Sequence, residues 1–175
     1  MTEPHPESDD LLERKFRLDA LLVEPIHALP LEPPAVLESS VTLAKAIETM
    51  QQRHVGCVLL VDGAGKLVGI FTERDVLTRV AGRRLDWAQA PISDLMTRSP
   101  ETLRPDDRIA WALHMMHVGG YRNVPLTDAD DKPIGLVSVK DIIGHVVDLF
   151  PASVLNLPPD PHRAPDSDPS GGGSD

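Results

Sequence analysis

Four short apolar runs and four stretches of helical periodicity alternate along the middle of the chain. Cys57-Val58-Leu59-Leu60-Val61 is apolar at every position, the mark of a strand covered on both faces. After the turn Asp62-Gly63-Ala64-Gly65, residues 67–71 return as its partner strand. Upstream, Leu43, Ala46, Ile47 and Met50 form the buried stripe of a helix reaching about Arg53, with Ser39 or Ser40 placed to cap it. A brief extended piece precedes it at residues 35–37, where Pro33 and Pro34 bar a helix. Residues 73–80 close the unit as a second helix, stopped near Gly82. The order is then rebuilt: a strand near Thr102, a helix over 107–118, strands at 123–127 and 134–138, and a helix over 139–150 ended by Pro151.

The rebuilding is a repeat. With Pro25 set against Pro91, Ile26 meets Ile92, Leu29 meets Leu95, Leu37 meets Leu103 and Met50 meets Met116, each 66 residues on and without a gap. Val58 and Val124, Leu60 and Leu126, Gly69 and Gly135, and Asp75 and Asp141 continue the register. One supersecondary unit used twice predicts an α+β fold in which two β-α-β-β-α units stack as one pseudo-symmetric module. The expected boundaries are an N-terminal segment 1–24, a first repeat 25–82, a linker 83–90, a second repeat 91–150 and a tail 151–175. Leu11, Leu12, Phe16, Leu18, Leu21 and Leu22 predict an amphipathic helix over residues 9–22 that packs on the repeats or on a partner. After about residue 158, Pro, Asp, Ser and Gly dominate, and such a composition cannot bury enough apolar surface to fold.

The strongest chemical signal sits at equivalent points of both repeats: Gly69-Ile70-Phe71-Thr72-Glu73-Arg74-Asp75 and Gly135-Leu136-Val137-Ser138-Val139-Lys140-Asp141. Each is a strand that delivers a hydroxyl residue to a turn, followed by an aspartate in the first turn of a helix. The simplest reading is a capping arrangement, in which both side chains satisfy orphan donors at the helix start. The same geometry makes an anion pocket, because the unpaired N–H groups and the positive end of the helix dipole favour a phosphate or a hydroxyl-rich ligand.

Composition narrows the class. In 175 residues, 41% hydrophobic, the chain holds enough apolar residues for one sizeable core. No apolar run approaches the roughly 18 residues of a membrane span, and the acidic start lacks a signal-peptide core. One cysteine, Cys57, excludes an internal disulfide framework and fits a cytoplasmic setting. A formal charge of −10 opposes general nucleic-acid binding.

Spacing, apolar strands and both terminal motifs together closely resemble a tandem pair of cystathionine-β-synthase (CBS) domains, the Bateman module, over about residues 25–150. The resemblance implies a module without catalysis of its own, needing no catalytic cofactor. It binds AMP, ADP or ATP, or more rarely S-adenosylmethionine, in clefts between the halves, and regulates a partner. Carried over, it implies that Asp75 and Asp141 take ribose hydroxyls, that Thr72 and Ser138 contact ribose or phosphate, and that Arg74, Lys140 and Arg122 supply cations. The adenine would lie near Val36, Val55, Gly56, Cys57, Thr102, Tyr121, Arg122 and Asn123. Val36 where the second repeat has Thr102, and Gly56 where it has Arg122, leave the first cleft poorer in polar partners. The family's habit of pairing, and helix faces rich in Leu, Met and Ile, predict a homodimer.

Other constellations carry less. His114 and His117 lie one helical turn apart and offer two ligands where a metal site needs more. Trp87 and Trp111 are expected to pack. No catalytic triad, paired-carboxylate cleft or phosphate-binding glycine loop is present. The competing readings are a structural or partner-docking scaffold without ligand, and an enzyme acting on nucleotides.

Overall fold

The computed structural model describes residues 19–149. Of the expected N-terminal helix, residues 9–18 lie outside these, as do residue 150 and the tail 151–175; residues 19–23 are helical.

In the first half, β1 (Val36–Glu38) runs parallel to β2 (Cys57–Val61) after the helix α1 (Leu43–Arg53). The strand β3 (Leu67–Thr72) pairs antiparallel with β2, and Cys57 sits opposite Thr72. α2 starts as the α-helical turn Glu73–Asp75 and widens into the π-helical turn Val76–Val80, after which Gly82 takes a φ of +78°. β4 (Thr97–Arg98) then adds to the far edge of β3, completing a four-stranded sheet in the order β1-β2-β3-β4. The second half has α3 (Ile109–Gly119), the antiparallel pair β5 (Asn123–Thr127) and β6 (Pro133–Ser138), and α4 (Val139–Leu149).

Two expectations are corrected. The strand near Thr102 is reduced to one parallel bridge, Leu103 to Leu126. In the first half the Leu59 amide donates to the Ala35 carbonyl at 2.8 Å. Its counterpart is Pro125, which has no N–H, so the ladder loses a rung and shortens. The cap of α1 is Thr42, whose hydroxyl accepts from the Lys45 amide at 3.4 Å. Ser39 and Ser40 stand too early in the chain to cap a helix that starts at Leu43, and the Ser39 amide still belongs to the sheet, donating to the Val61 carbonyl at 2.8 Å.

The two halves exchange their opening segments. The Ile26 amide donates to the Asp107 carbonyl at 2.8 Å, and its counterpart, the Ile92 amide, donates to Val41 at 3.0 Å. Ile109 to Glu24 at 2.9 Å and Leu43 to Ala90 at 2.8 Å repeat the symmetry. The first core therefore joins Leu43, Ala46, Val58, Leu60 and Phe71 to Ile92, Leu95 and Met96. The second joins Ile109, Ala112, Val124, Leu126 and Val137 to Leu21, Ile26 and Leu29. On the opposite face of β2, Cys57 and Leu59 pack with Ile70, Leu67 and Leu136 of the second half, which accounts for the unbroken apolar run of that strand.

Trp87 and Trp111 do not enter either core: they are 47% and 57% exposed. α3 turns Ile109, Ala112 and Met116 inward, so Trp111 falls on its outer face, edge-on to His114. Among the described residues no helix is long and apolar enough to cross a membrane.

Candidate functional site

Sheet register gathers most of the predicted residues into two equivalent groups, leaving Val36, Thr102 and the Arg74 side chain outside them. Opposite pairing of Cys57 with Thr72, and of Asn123 with Ser138, sets the turn before each central strand beside the motif that ends the next. The Glu73 amide donates to the Gly56 carbonyl at 3.0 Å, and the Val139 amide to Arg122 at 3.0 Å. Val55, Gly56 and Cys57 thus adjoin Thr72 and Asp75, while Tyr121, Arg122 and Asn123 adjoin Ser138 and Asp141.

Both motifs form complete reciprocal caps. Asp75 Oδ2 accepts from the Thr72 amide at 2.9 Å and the Thr72 hydroxyl at 2.8 Å, and the Asp75 amide donates back at 3.3 Å. Asp141 Oδ2 accepts from the amide and hydroxyl of Ser138, both at 2.7 Å, with a return bond of 3.3 Å.

The remaining oxygens differ. Asp75 is 6% exposed, and its Oδ1 meets Arg79 Nε at 3.3 Å and the Thr97 hydroxyl at 3.5 Å. Asp141 is half-buried, and its Oδ1 has no hydrogen-bond partner among the described residues. Arg79 and Thr97 were invisible as site residues in the sequence, although the four-residue step from Asp75 to Arg79 is a helical ion-pair spacing.

Of the expected cations, Arg74 leaves its own half and donates Nη1 to the Gly120 carbonyl at 2.6 Å, tying the first motif to the second half. Lys140 and Arg122 are exposed and have no side-chain partner among the described residues. Val36 pairs with Leu59 at the sheet edge and is 39% exposed. The Thr102 hydroxyl accepts from Thr127 at 3.4 Å.

Two groups are tuned by burial. The Cys57 thiol is 3% exposed and pushed up to about 12, first by burial and then by the nearby Glu73 carboxylate, so it stays neutral and packs. The Tyr121 phenol is pushed up to about 12 by burial and by its 2.5 Å bond to Glu101, a partner that sequence reasoning missed. A cavity of ≈ 650 Å³ opens between α1 and α2, lined by Ile47, Met50, His54, Val55, Gly56 and Leu77 among others. It shares Val55 and Gly56 with the first group and is not lined by Asp75 or Asp141. Among the described residues no cluster of three or more His, Cys, Asp or Glu is placed to hold a metal.

Two repeated units with exchanged openings and capped strand ends, the second with its opening strand reduced to one bridge, define a tandem repeat module. The chain belongs to the CBS domain family, whose profile matches residues 26–82 and 92–148. An uncharacterized 17.7 kDa protein of Acidianus ambivalens is 29% identical over 114 residues, covering 65% of this chain and 68% of that one. A CBS domain-containing protein of Arabidopsis thaliana, CBSCBSPB1, is 30% identical over 138 residues, 78% of this chain and 24% of that protein. The arabinose 5-phosphate isomerase KdsD of Pseudomonas aeruginosa is 33% identical over 111 residues, 63% of this chain and 33% of the isomerase. This chain thus spans a quarter to a third of the last two.

Solved structures share the fold. The CBS domain of a membrane protein from Sphaerobacter thermophilus has a TM-score of 0.67 at 23% identity, covering 78% of this chain and 96% of that one. The Pyrobaculum aerophilum protein PAE2072, complexed with AMP, has a TM-score of 0.65 at 23% identity, covering 74% and 98%. The CBS domain pair of MJ0100, in complex with 5′-methylthioadenosine and S-adenosyl-L-methionine, has a TM-score of 0.62 at 23% identity, covering 75% and 98%.

Proposed function

We propose that this protein is a non-catalytic regulatory module that binds an adenine nucleotide and passes its occupancy to a partner. The observation that carries the reading is the split use of the Asp141 carboxylate. Oδ2 completes the helix cap, while Oδ1, at the start of an 11-residue helix, has no hydrogen-bond partner among the described residues. Capping and ligand recognition are therefore compatible at this residue. A ribose diol donates to such an oxygen, and the helix start, with Arg122 and Lys140 exposed nearby, favours the phosphate. The complexes of PAE2072 with AMP and of MJ0100 with S-adenosyl-L-methionine support an adenine-containing ligand.

In this reading Ser138, Asp141 and Arg122 hold ribose and phosphate, with the adenine near Thr102, Tyr121 and Asn123. Thr72, Asp75, Val36, Val55, Gly56 and Cys57 form the poorer counterpart. The module is a cytoplasmic homodimer. Leu77 on α2 and its counterpart Ile143 on α4, 73% and 57% exposed, supply the apolar face for pairing.

Calorimetric titration with AMP, 2′-deoxy-AMP and S-adenosylmethionine tests the binding. AMP is expected to bind more tightly than its 2′-deoxy analogue, because the analogue lacks one of the two hydroxyls that Asp141 would hold. Equal affinities in the parent protein leave Asp141 as a cap alone. Light scattering showing only monomer at tens of micromolar, with and without AMP, removes the dimer.

A further inference from the structure

The first half carries the same capped aspartate as the second, yet a cation of its own chain already occupies it. Asp75 Oδ1 faces Arg79 Nε at 3.3 Å and the Thr97 hydroxyl at 3.5 Å, and its Oδ2 is used by the cap. Each acceptor oxygen of this carboxylate is engaged, and the residue is 6% exposed. A diol has nowhere to donate unless Arg79 moves.

Arg79 is not free to move. Its Nη1 donates to the Leu95 carbonyl at 2.9 Å and the Met96 carbonyl at 2.5 Å, and its Nη2 to the Thr97 hydroxyl at 3.3 Å. Leu95 and Met96 belong to the opening segment of the second half and are each 5% exposed. Withdrawing the guanidinium strands two carbonyls of a packed segment as well as the carboxylate, and buried acceptors left without donors are costly. The guanidinium fork suits this task because it serves several acceptors at once and keeps its charge at any working pH.

The second half supplies an internal control, since the 66-residue repeat places His145 where the first half has Arg79, and Leu31 where it has Thr97. His145 turns to Glu24, with Nε2 at 3.0 Å from its carboxylate, and Leu31 packs against the second core. Neither makes a hydrogen bond or ion pair to Asp141. Two substitutions at equivalent positions thus separate a carboxylate that is closed internally from one that is open.

We infer that Arg79, with Thr97, closes the first cleft to a ribose diol, so that each chain takes a single nucleotide, at Asp141. The inference rests on the nucleotide reading above and makes Arg79 the residue that sets stoichiometry. It differs from a cleft that is merely weak for want of the arginine that Gly56 replaces, because Arg79 acts on the acceptor itself.

Calorimetry on the full chain with AMP as probe tests it. The parent is expected to bind one AMP per chain, Asp75→Asn to retain that site, and Asp141→Asn to lose it, since an amide keeps a cap acceptor but presents a donor to the diol. Introducing Arg79→His into the Asp141→Asn protein, which copies the residue of the second half, is expected to restore one site. That site should be about tenfold weaker than the parent's, for want of a charge-assisted contact. Two AMP per chain in the parent, or a site lost on Asp75→Asn, overturns the inference. So does a folded Arg79→His, Asp141→Asn protein that binds no AMP. If that protein does not fold, as judged by circular dichroism, the parent stoichiometry and the two single variants decide alone. A parent that binds no AMP overturns the nucleotide reading first, and a site surviving both Asp75→Asn and Asp141→Asn overturns the diol assignment.

Discussion

The hydroxyl and the main-chain amide of Ser138 both donate to the same oxygen of Asp141, Oδ2, each at 2.7 Å. The pair fastens the end of β6 to the start of α4, and the other oxygen takes no part. Its counterpart in the first half, Asp75, adds the ion pair to Arg79. Stability without ligand should therefore differ between the two positions. Asp141→Ala is expected to cost about 1 kcal/mol, the ordinary value of a lost cap. Asp75→Ala is expected to cost about 2 kcal/mol, because it also removes the ion pair to Arg79, whose share is discounted for screening since that side chain is partly exposed. Urea melts of the two variants at neutral pH check the order, and equal losses contradict it.

The exchanged openings predict that each half depends on the other's segment. Ile26 and Ile92 are fully buried, each in the core of the opposite half. Ile92→Ala is expected to cost about 2–5 kcal/mol, and Ile26→Ala a similar amount. Hydrogen exchange should show Ile92→Ala loosening the β2 and β3 amides of the first half more than β5 and β6. Loosening confined to the second half contradicts the exchange.

At the end of α3, a Cβ on Gly119 would collide with Tyr121 Cε1 and stand 2.7 Å from two further ring carbons. The ring is held by its core packing and by Glu101, so it cannot yield cheaply. Gly119→Ala is expected to destabilise by about 1–3 kcal/mol despite the better helix propensity of alanine. Gly144→Ala, where nothing lies within 4 Å, is the control and should be neutral or stabilising. A neutral Gly119→Ala contradicts the packing.

Tyr121 is the one tyrosine of the chain, so phenolate absorbance reports it alone. The folded protein should ionise near pH 12, against about 10 for the unfolded chain. The sign follows: with the folded value raised, this group's contribution to stability is complete below about pH 10 and is lost as pH rises towards the folded value. Glu101→Gln removes a carboxylate that opposes the phenolate and should lower the midpoint. An unchanged midpoint in that variant leaves burial as the whole cause.

Local patterns determined much of this protein by themselves. The all-apolar Cys57–Val61 segment announced a strand with two covered faces, because period-two alternation disappears when neither face meets water. The constant offset of 66 residues revealed two equivalent units, and each Thr or Ser followed by Asp marked a helix start, since a cap is satisfied within four residues. What depends on residues distant in the chain was left to the tertiary structure. No local signal says that Ile26 fills the second core and Ile92 the first, because an isoleucine is equally apolar in either place. The missing rung at Pro125 becomes visible only once its partner strand is known. The exposure of Trp111 follows from which face α3 turns inward. The difference between Asp75 and Asp141 is of the same kind: the two motifs are alike in sequence, and what Arg79 and His145 each reach is set by the segments folded against them.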